Sequence, residues 1–304
     1  MTETALEFRN VTKSFDGVPV VKEISFRVGA CSIYGLVGCN GAGKTTLLKM
    51  AAGIYKPDRG SVLADGEDVF DNAAVRGRLF FVPDDLYFPL GATVRSMARF
   101  YADYYPAFQE KTLQNILNLF GLDSKKPLRG FSKGMQRQAE IALGLSTHPK
   151  YLLLDETFDG LDPQKREFVR KLLLEYAAEN DASILIASHN LPELANLCDH
   201  IGLVNGKRLT MDCDVNDVSR DYIKVRAVFG APLSTEQLDA IHAASRKDEG
   251  VSATFVFHGN YETERPKLDA LAPLAVDEFA LTLEEIFLSE MEDKDYDVTK
   301  IFES

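Results

Sequence analysis

Residues 31–54 read "CSIYGLVGCNGAGKTTLLKMAAGI". Cys31 to Val37 form a run of strand length, glycines follow, and from Lys44 apolar residues recur at helical spacing. The junction fits G-x-x-x-x-G-K-[ST] through Gly38, Gly43, Lys44 and Thr45. Glycines let the backbone fold so that its N–H groups converge on phosphate oxygens, and the helix N-terminus adds partial positive charge. Lys44 is expected to reach the β and γ phosphates, and the Thr45 hydroxyl to bind Mg²⁺. Asn40, Gly41, Ala42 and Thr46 complete the expected nucleotide-binding loop. A mere glycine-rich turn would give no reason for a lysine and a threonine to follow.

Working outward, "ALEFRNVTKSF" and "VPVVKEISFRV" alternate apolar and polar residues, joined at Asp16-Gly17. They predict an N-terminal antiparallel β-subdomain. "GRLFFVPD", stopped by Pro83, "YLLLD" and "SILIAS" read as short buried strands. "PQKREFVRKLLLEYAAEN" reads as a helix with Pro163 in its first turn. "HIGLVNGKRLTM" reads as a hairpin around Asn205-Gly206. Strands alternating with helices predict an α/β fold, a mostly parallel sheet with helices on both faces. From about 92 to 144 the pattern is helical and strand-poor, which predicts an inserted helical subdomain. The character changes again near 215: "DYIKVRAVF" and "VSATFVFHG" read as strands, "STEQLDAIHAA" and "LTLEEIFLSEM" as helices. The expected division is therefore residues 1–215, a nucleotide-binding domain, and 216–304, a small C-terminal α+β domain.

Carboxylates stand at the end of one of these strands. "YLLLDET" places Asp155 and Glu156 where the strands of an α/β sheet end and ligands bind. Asp155 is placed to hold Mg²⁺, and Glu156, pointing elsewhere, to polarise an attacking water. Alone, the pair would read equally well as a capping feature of a strand-to-helix loop. His189 ends "SILIASH" at the same sheet edge, two strand ends from the phosphate loop in the expected topology, where a γ-phosphate contact is reasonable.

Composition narrows the class. The chain has 304 residues and a net charge of −12, from 34 basic and 46 acidic residues, so sequence-independent nucleic-acid binding is disfavoured. Four scattered cysteines without a CxxC pair suggest a reducing compartment. One of them, Cys39, lies inside the phosphate loop and reads first as a small filler. No signal-peptide core and no long apolar window is present, and the expectation is a soluble cytoplasmic protein.

These pieces, in this order, resemble the nucleotide-binding subunit of ATP-binding-cassette (ABC) transporters over about residues 4–212. Phe15, in "VTKSFDG", corresponds to the aromatic that stacks on adenine in that family. "FSKGMQRQ" is similar to the family signature, usually written LSGGQ, with Phe131, Ser132, Lys133, Gly134 and Met135 at its five positions and Gln136 next. "TFDGLDP" resembles the loop that follows the acid pair, with Asp162 its characteristic aspartate, and His189 resembles the family's switch histidine. The resemblance implies that two such domains pack head to tail. Each ATP then lies between the phosphate loop of one chain and the signature of the other. Ser132 and Gly134 would meet the γ-phosphate of a partner's ATP, with Lys133, Met135 and Gln136 beside them.

Two positions depart from the family pattern. Asp84, in "FVPDDLYF", stands where the family usually has a glutamine contacting Mg²⁺; an acid can ligate the metal but adds negative charge. Lys133 replaces a signature glycine and faces either the phosphate or solvent. Ser-Lys-Gly-Met signatures resemble those of bacterial type-2 exporters, whose membrane subunits are separate chains, as does the Leu-Glu-Glu-Ile-Phe segment with Leu283, Ile286 and Phe287 on one face. The resemblance implies an exporter ATPase using ATP and Mg²⁺. It would lie peripherally on the inner face of the membrane, bound to a transmembrane subunit through residues near Asp84 to Phe88, and paired with a second nucleotide-binding subunit. The alternatives are a non-transport ABC ATPase, or a module that holds ATP without turnover. The fused cassettes and long coiled coils of the first are not seen, and the intact acid pair argues against the second.

Overall fold

The computed structural model describes residues 5–215, 217 and 222–291. Two compact units emerge, one ending at Asp212 and the other beginning at Cys213.

In the first unit β1 (Ala5–Phe15) pairs antiparallel with β2 (Val18–Gly29). The turn between them holds Asp16 at φ 49° and Gly17 at φ 77°, the left-handed conformations a tight two-residue hairpin requires. The other edge of β1 takes β4 (Arg59–Ala64), followed by β5 (Glu67–Asp68). These two strands went unread because "RGSVLA" opens on polar residues. Gly60 makes the pairing possible: a Cβ there would lie 2.2 Å from the Arg9 carbonyl oxygen.

Six strands form the second sheet, in the order β10 (Arg208–Asp214), β9 (His200–Asn205), β3 (Ile33–Val37), β8 (Ser183–Ser188), β7 (Tyr151–Asp155), β6 (Leu79–Val82). From β9 to β6 the neighbours run parallel. β3, β7 and β8 are buried along their whole length, as strands covered on both faces must be. The order corrects one expectation. β8 lies directly beside β3, so His189 follows the strand next to the phosphate loop rather than two away. The hairpin turn joining β9 to β10 is also one residue later than expected: its left-handed residues are Gly206 and Lys207.

Helix α1 (Lys44–Ala51) follows β3, and a short α2 (Ala73–Arg76) precedes β6. The strand-poor stretch supplies α3 (Val94–Tyr104), α4 (Glu110–Phe120) and α5 (Lys133–Ser146). Thr93 and Ser96 cap α3 reciprocally, and Ser132 caps α5. After β7 comes α6 (Pro163–Asn180), with Asp162 as its cap and Pro163 at its start; after β8 comes α7 (Leu191–Ala195). A stack of Phe8 on Phe26 (4.2 Å) and Phe26 on Tyr34 (4.9 Å) joins the two sheets, and Leu47 and Leu48 of α1 pack into the same core. That core fixes the junction of β3 and α1.

The second unit runs β11 (Tyr222–Val228), α8 (Thr235–Asp239), β12 (Ser245–Asp248), β13 (Ser252–His258), α9 (Tyr261–Ala270), β14 (Ala275–Ala280), α10 (Leu283–Met291). Its sheet, in the order β12-β13-β11-β14, is antiparallel throughout, a split β-α-β-β-α-β arrangement. α8 is shorter than expected, because Ile241 leaves the helical path to join the core with Leu238, Phe255 and Phe257. α9 carries Pro266 inside it and buries the charged Glu264 between Tyr261 and Leu268, and β14 is exposed at every residue, so neither shows a plain apolar pattern in the sequence. In α10, Ile286 and Phe287 are buried, and Glu285 pairs with Lys224 of β11 at 2.8 Å. The helix thus engages its own sheet; Glu292 and Asp293, just beyond it, lie outside the described residues. Among the described residues no helix is long and apolar enough to cross a membrane.

Candidate active site

The loop between β3 and α1 is shaped by close approach. A Cβ at Gly38 would lie 2.4 Å from the Val204 carbonyl oxygen of β9, so the loop leaves the sheet pressed against its neighbour. Gly43, at φ 108°, abuts Val20 and Val21 of β2. Its conformation starts α1 with neither a capping side chain nor an acidic residue in the first turn. The first amides of the helix are therefore left for an anion. Asn40, Gly41 and Thr45 are exposed along the loop, while Ala42 and Thr46 are half-buried.

Lys44 is buried, with 6 % of its surface exposed, and its ammonium donates to the Gly38 carbonyl at 2.6 Å. It also lies 3.6 Å from Glu156 Oε1. The other oxygen of Glu156 accepts from the His189 backbone N–H at 3.3 Å and stands 3.0 Å from the ring Nδ1. Glu156 sits at φ 45°, a conformation rare for a non-glycine residue and one that accumulates at functional sites. It turns the side chain away from that of Asp155 and between the phosphate loop and the β8 end. The structure thus brings Lys44, Glu156 and His189 together from three neighbouring strand ends. Sequence reasoning missed Asp159, whose carboxylate lies within 4.8 Å of the ligand atoms of Glu156 and His189. The signal was present as a third acid four residues after Asp155.

Asp155 is 1 % exposed, and neither of its carboxylate oxygens has a hydrogen-bond partner of normal geometry. Burial pushes its pKa up; the adjacent Thr45 hydroxyl and the Lys44 charge pull it back, while Glu156 and Asp84 push it further up. A buried carboxylate lacking partners beside a hydroxyl fits a hard divalent cation with oxygen ligands. Asp84 leaves the end of β6, the strand paired with β7, and its side chain is half exposed. Its Oδ1 lies 3.3 Å from Arg137 Nη2, so this acid already has a cationic partner.

The signature residues lie at the start of α5. Ser132 Oγ accepts from the Met135 N–H at 3.2 Å, and Ser132 and Lys133 are exposed. Met135 is half-buried, and the Gln136 amide donates to the Leu128 carbonyl at 2.9 Å, within its own chain. Gly134 is buried: a Cβ there would lie 2.5 Å from the Gly160 carbonyl oxygen, in the loop after the acid pair. Asp162 Oδ1 accepts from the Lys165 N–H at 2.9 Å, which makes it a helix cap. Phe15, exposed at the β1–β2 hairpin end, packs edge-on against Tyr55 at 5.2 Å. Of the residues expected to be exposed for docking, Phe88 is buried, which corrects that expectation, whereas Tyr87 is 82 % exposed; Leu90, just beyond that stretch, is 83 % exposed. A cavity of about 530 Å³ between the starts of α6 and α7, where Arg166 pairs with Glu193, has no phosphate-loop residue in its lining.

Residues 21–159 match the family described as ABC transporter. The ABC transporter ATP-binding protein YtrB of Bacillus subtilis is 29 % identical over 284 residues, which cover 93 % of this chain and 97 % of that protein. The Nod factor export ATP-binding protein I of Burkholderia lata is 30 % identical over 299 residues, covering 95 % and 97 %. Among solved structures, an ATP-binding subunit of an ABC transporter superposes with a TM-score of 0.67 at 26 % identity, over 71 % of this chain and 92 % of that one.

Proposed function

This chain belongs to the ATP-binding, ATP-hydrolysing subunits of ABC transporters, and we propose that it powers export through a separate transmembrane subunit. The observation that carries the mechanism is the convergence of Lys44, Glu156 and His189 at adjacent strand ends. Lys44 exchanges the Gly38 carbonyl for phosphate oxygens, and the first amides of α1 bind the same group. Glu156, held in place by His189, accepts a proton from the attacking water. Thr45 and Asp155, with Asp84 at the neighbouring strand end, would hold Mg²⁺, which when bound spreads the charge of the β and γ phosphates. Phe15 stacks on the adenine.

Ser132 and Lys133 are exposed at a helix start. This supports a head-to-tail pair in which they, with Gly134, Met135 and Gln136, complete a partner's ATP site, with Asp162 in the loop between the chains. The exposed Tyr87 and Leu90, in the loop after Asp84, suit docking of the transmembrane subunit at the inner face of the membrane. Export rather than import is favoured by the signature and by the full-length similarity to a relative named for Nod factor export. Residues 1–215 would form the ATPase domain and 216–304 an accessory domain. Phosphate release measured on the purified chain, and its co-purification with a multispanning membrane protein, test this reading. ATP turnover with no membrane partner would leave a non-transport ATPase.

A further inference from the structure

Arg137, in the second turn of α5, is 3 % exposed and extends to the end of β6. Nη1 donates to the Pro83 carbonyl; Nη2 donates to the Asp84 carbonyl at 2.7 Å and lies 3.3 Å from its carboxylate. One guanidinium thus grips both the backbone and the side chain of a single short segment, which a lysine's point charge cannot do. The segment is the one where the acid replaces the expected glutamine. Because Val82 pairs with Leu154, Asp84 and Asp155 leave neighbouring strand ends close to level with each other. The Asp84 charge disfavours a charged Asp155, and the Arg137 charge is felt by both, as it is by Asp159 and Glu140. A buried cation near the start of a helix is itself unfavourable unless an anion meets it.

We propose that Asp84 and Arg137 are a matched pair: the arginine makes an acid tolerable at the metal-facing strand end and fastens that end to the signature helix, acting as a positioning residue. Neither member works without the other. The inference rests on the reading that Asp155 and Asp84 face a divalent cation. Without Arg137, only the Lys44 charge acting on Asp155 offsets the Asp84–Asp155 acidic pair, which then attracts a cation more strongly even when no nucleotide is present. With it, the Asp84 carboxylate is engaged by the signature helix until a metal–nucleotide complex arrives.

The test is a double-mutant cycle of Arg137→Gln and Asp84→Gln, with Arg137→Lys as a charge-retaining control. Two quantities are read: Mn²⁺ binding by electron paramagnetic resonance without nucleotide, and kcat for ATP. Arg137→Gln should tighten Mn²⁺ binding about tenfold, Arg137→Lys should leave it unchanged, and the double variant should return it to the wild-type level. Each single change to glutamine should lower kcat about tenfold, with the double variant no worse than the poorer single. Arg137→Lys, lacking the fork, should lose kcat without gaining Mn²⁺ affinity. Multiplicative losses in kcat together with unchanged Mn²⁺ affinity overturn the pair. Should Arg137→Gln not fold, Arg137→Lys against Asp84→Gln decides alone: a kcat loss in Asp84→Gln with none in Arg137→Lys overturns it. Failure of the wild type to bind Mn²⁺ with ATP would instead remove the metal reading, and the kcat cycle would still judge the pair.

Discussion

His189 turns both its backbone N–H and its ring Nδ1 toward one oxygen of Glu156, at 3.3 and 3.0 Å. The carboxylate is therefore oriented before any water is bound. Replacing Glu156 with Gln keeps the shape but removes the proton acceptor. Turnover should fall about a thousandfold while ATP binding persists. Size-exclusion chromatography with ATP should show a trapped pair of chains, and hydrolysis at the wild-type rate would remove Glu156 from its role.

Lys44→Ala should abolish nucleotide binding, lowering turnover by at least about a hundredfold. It also strands the buried Gly38 carbonyl, which now accepts from the ammonium at 2.6 Å. The nucleotide-free chain should lose about 1 kcal/mol as well, visible in a denaturant titration. Retained binding of a fluorescent ATP analogue would contradict the assignment.

Much of this site was legible because phosphate chemistry constrains residue type and spacing together. Gly38, Gly43, Lys44 and Thr45 could be read in a single pass, as could the strand ending in Asp155 and Glu156. What was not legible depends on which strands become neighbours. The adjacency of β8 to β3, and so the nearness of His189 to Lys44, is a property of sheet order that no local pattern encodes. The Arg137 clamp was hidden for a similar reason, since its partners lie 53 and 54 residues away in sequence. In the second unit, β14 lacks an apolar pattern because every residue of this edge strand is exposed, and α9 is hard to read because it brings only Tyr261 and Leu268 to the core, with the charged Glu264 buried between them.

Gly134 tests how tightly the signature helix is seated. A methyl group there would meet the Gly160 carbonyl oxygen at 2.5 Å, and that oxygen belongs to backbone. Gly134→Ala should cost about 1–3 kcal/mol in the nucleotide-free chain, read from urea unfolding. An unchanged midpoint would mean that the contact yields without cost.

Glu140 lies in α5 with one carboxylate oxygen unpartnered and the other accepting from the Tyr101 hydroxyl at 3.1 Å. Burial raises its pKa from 4.5 to about 7, against the pull of Tyr101 and Arg137. The folded chain thus holds this proton over a pH window in which the unfolded chain has released it. Its contribution is complete below pH 4.5 and is lost as pH rises through about 7, worth roughly 3 kcal/mol. Glu140→Gln, which mimics the protonated acid, should raise the melting temperature at pH 8 by several degrees and leave it unchanged near pH 4.5. Equal melting temperatures at pH 8 would refute this.

Cys39 is exposed in the phosphate loop, and its carbonyl lies 3.4 Å from the Lys44 ammonium. Alkylation should block ATP binding, with ATP protecting against the reagent. Cys39→Ser should be insensitive even though Cys31 is also exposed. Inhibition that persists in Cys39→Ser would place the effect elsewhere.

The contact of Gly134 with Gly160 has a consequence for timing. In the proposed head-to-tail pair, Gly160 would follow the Glu156 serving a chain's own ATP, whereas Gly134 would serve the ATP of its neighbour. Backbones this close leave little room for the loop to move alone, so in such a pair a shift of the loop when one nucleotide is cleaved would be passed to the signature helix. The two sites would then fire as a cooperative unit, their rates rising more steeply than linearly with ATP, and one spent site would silence both.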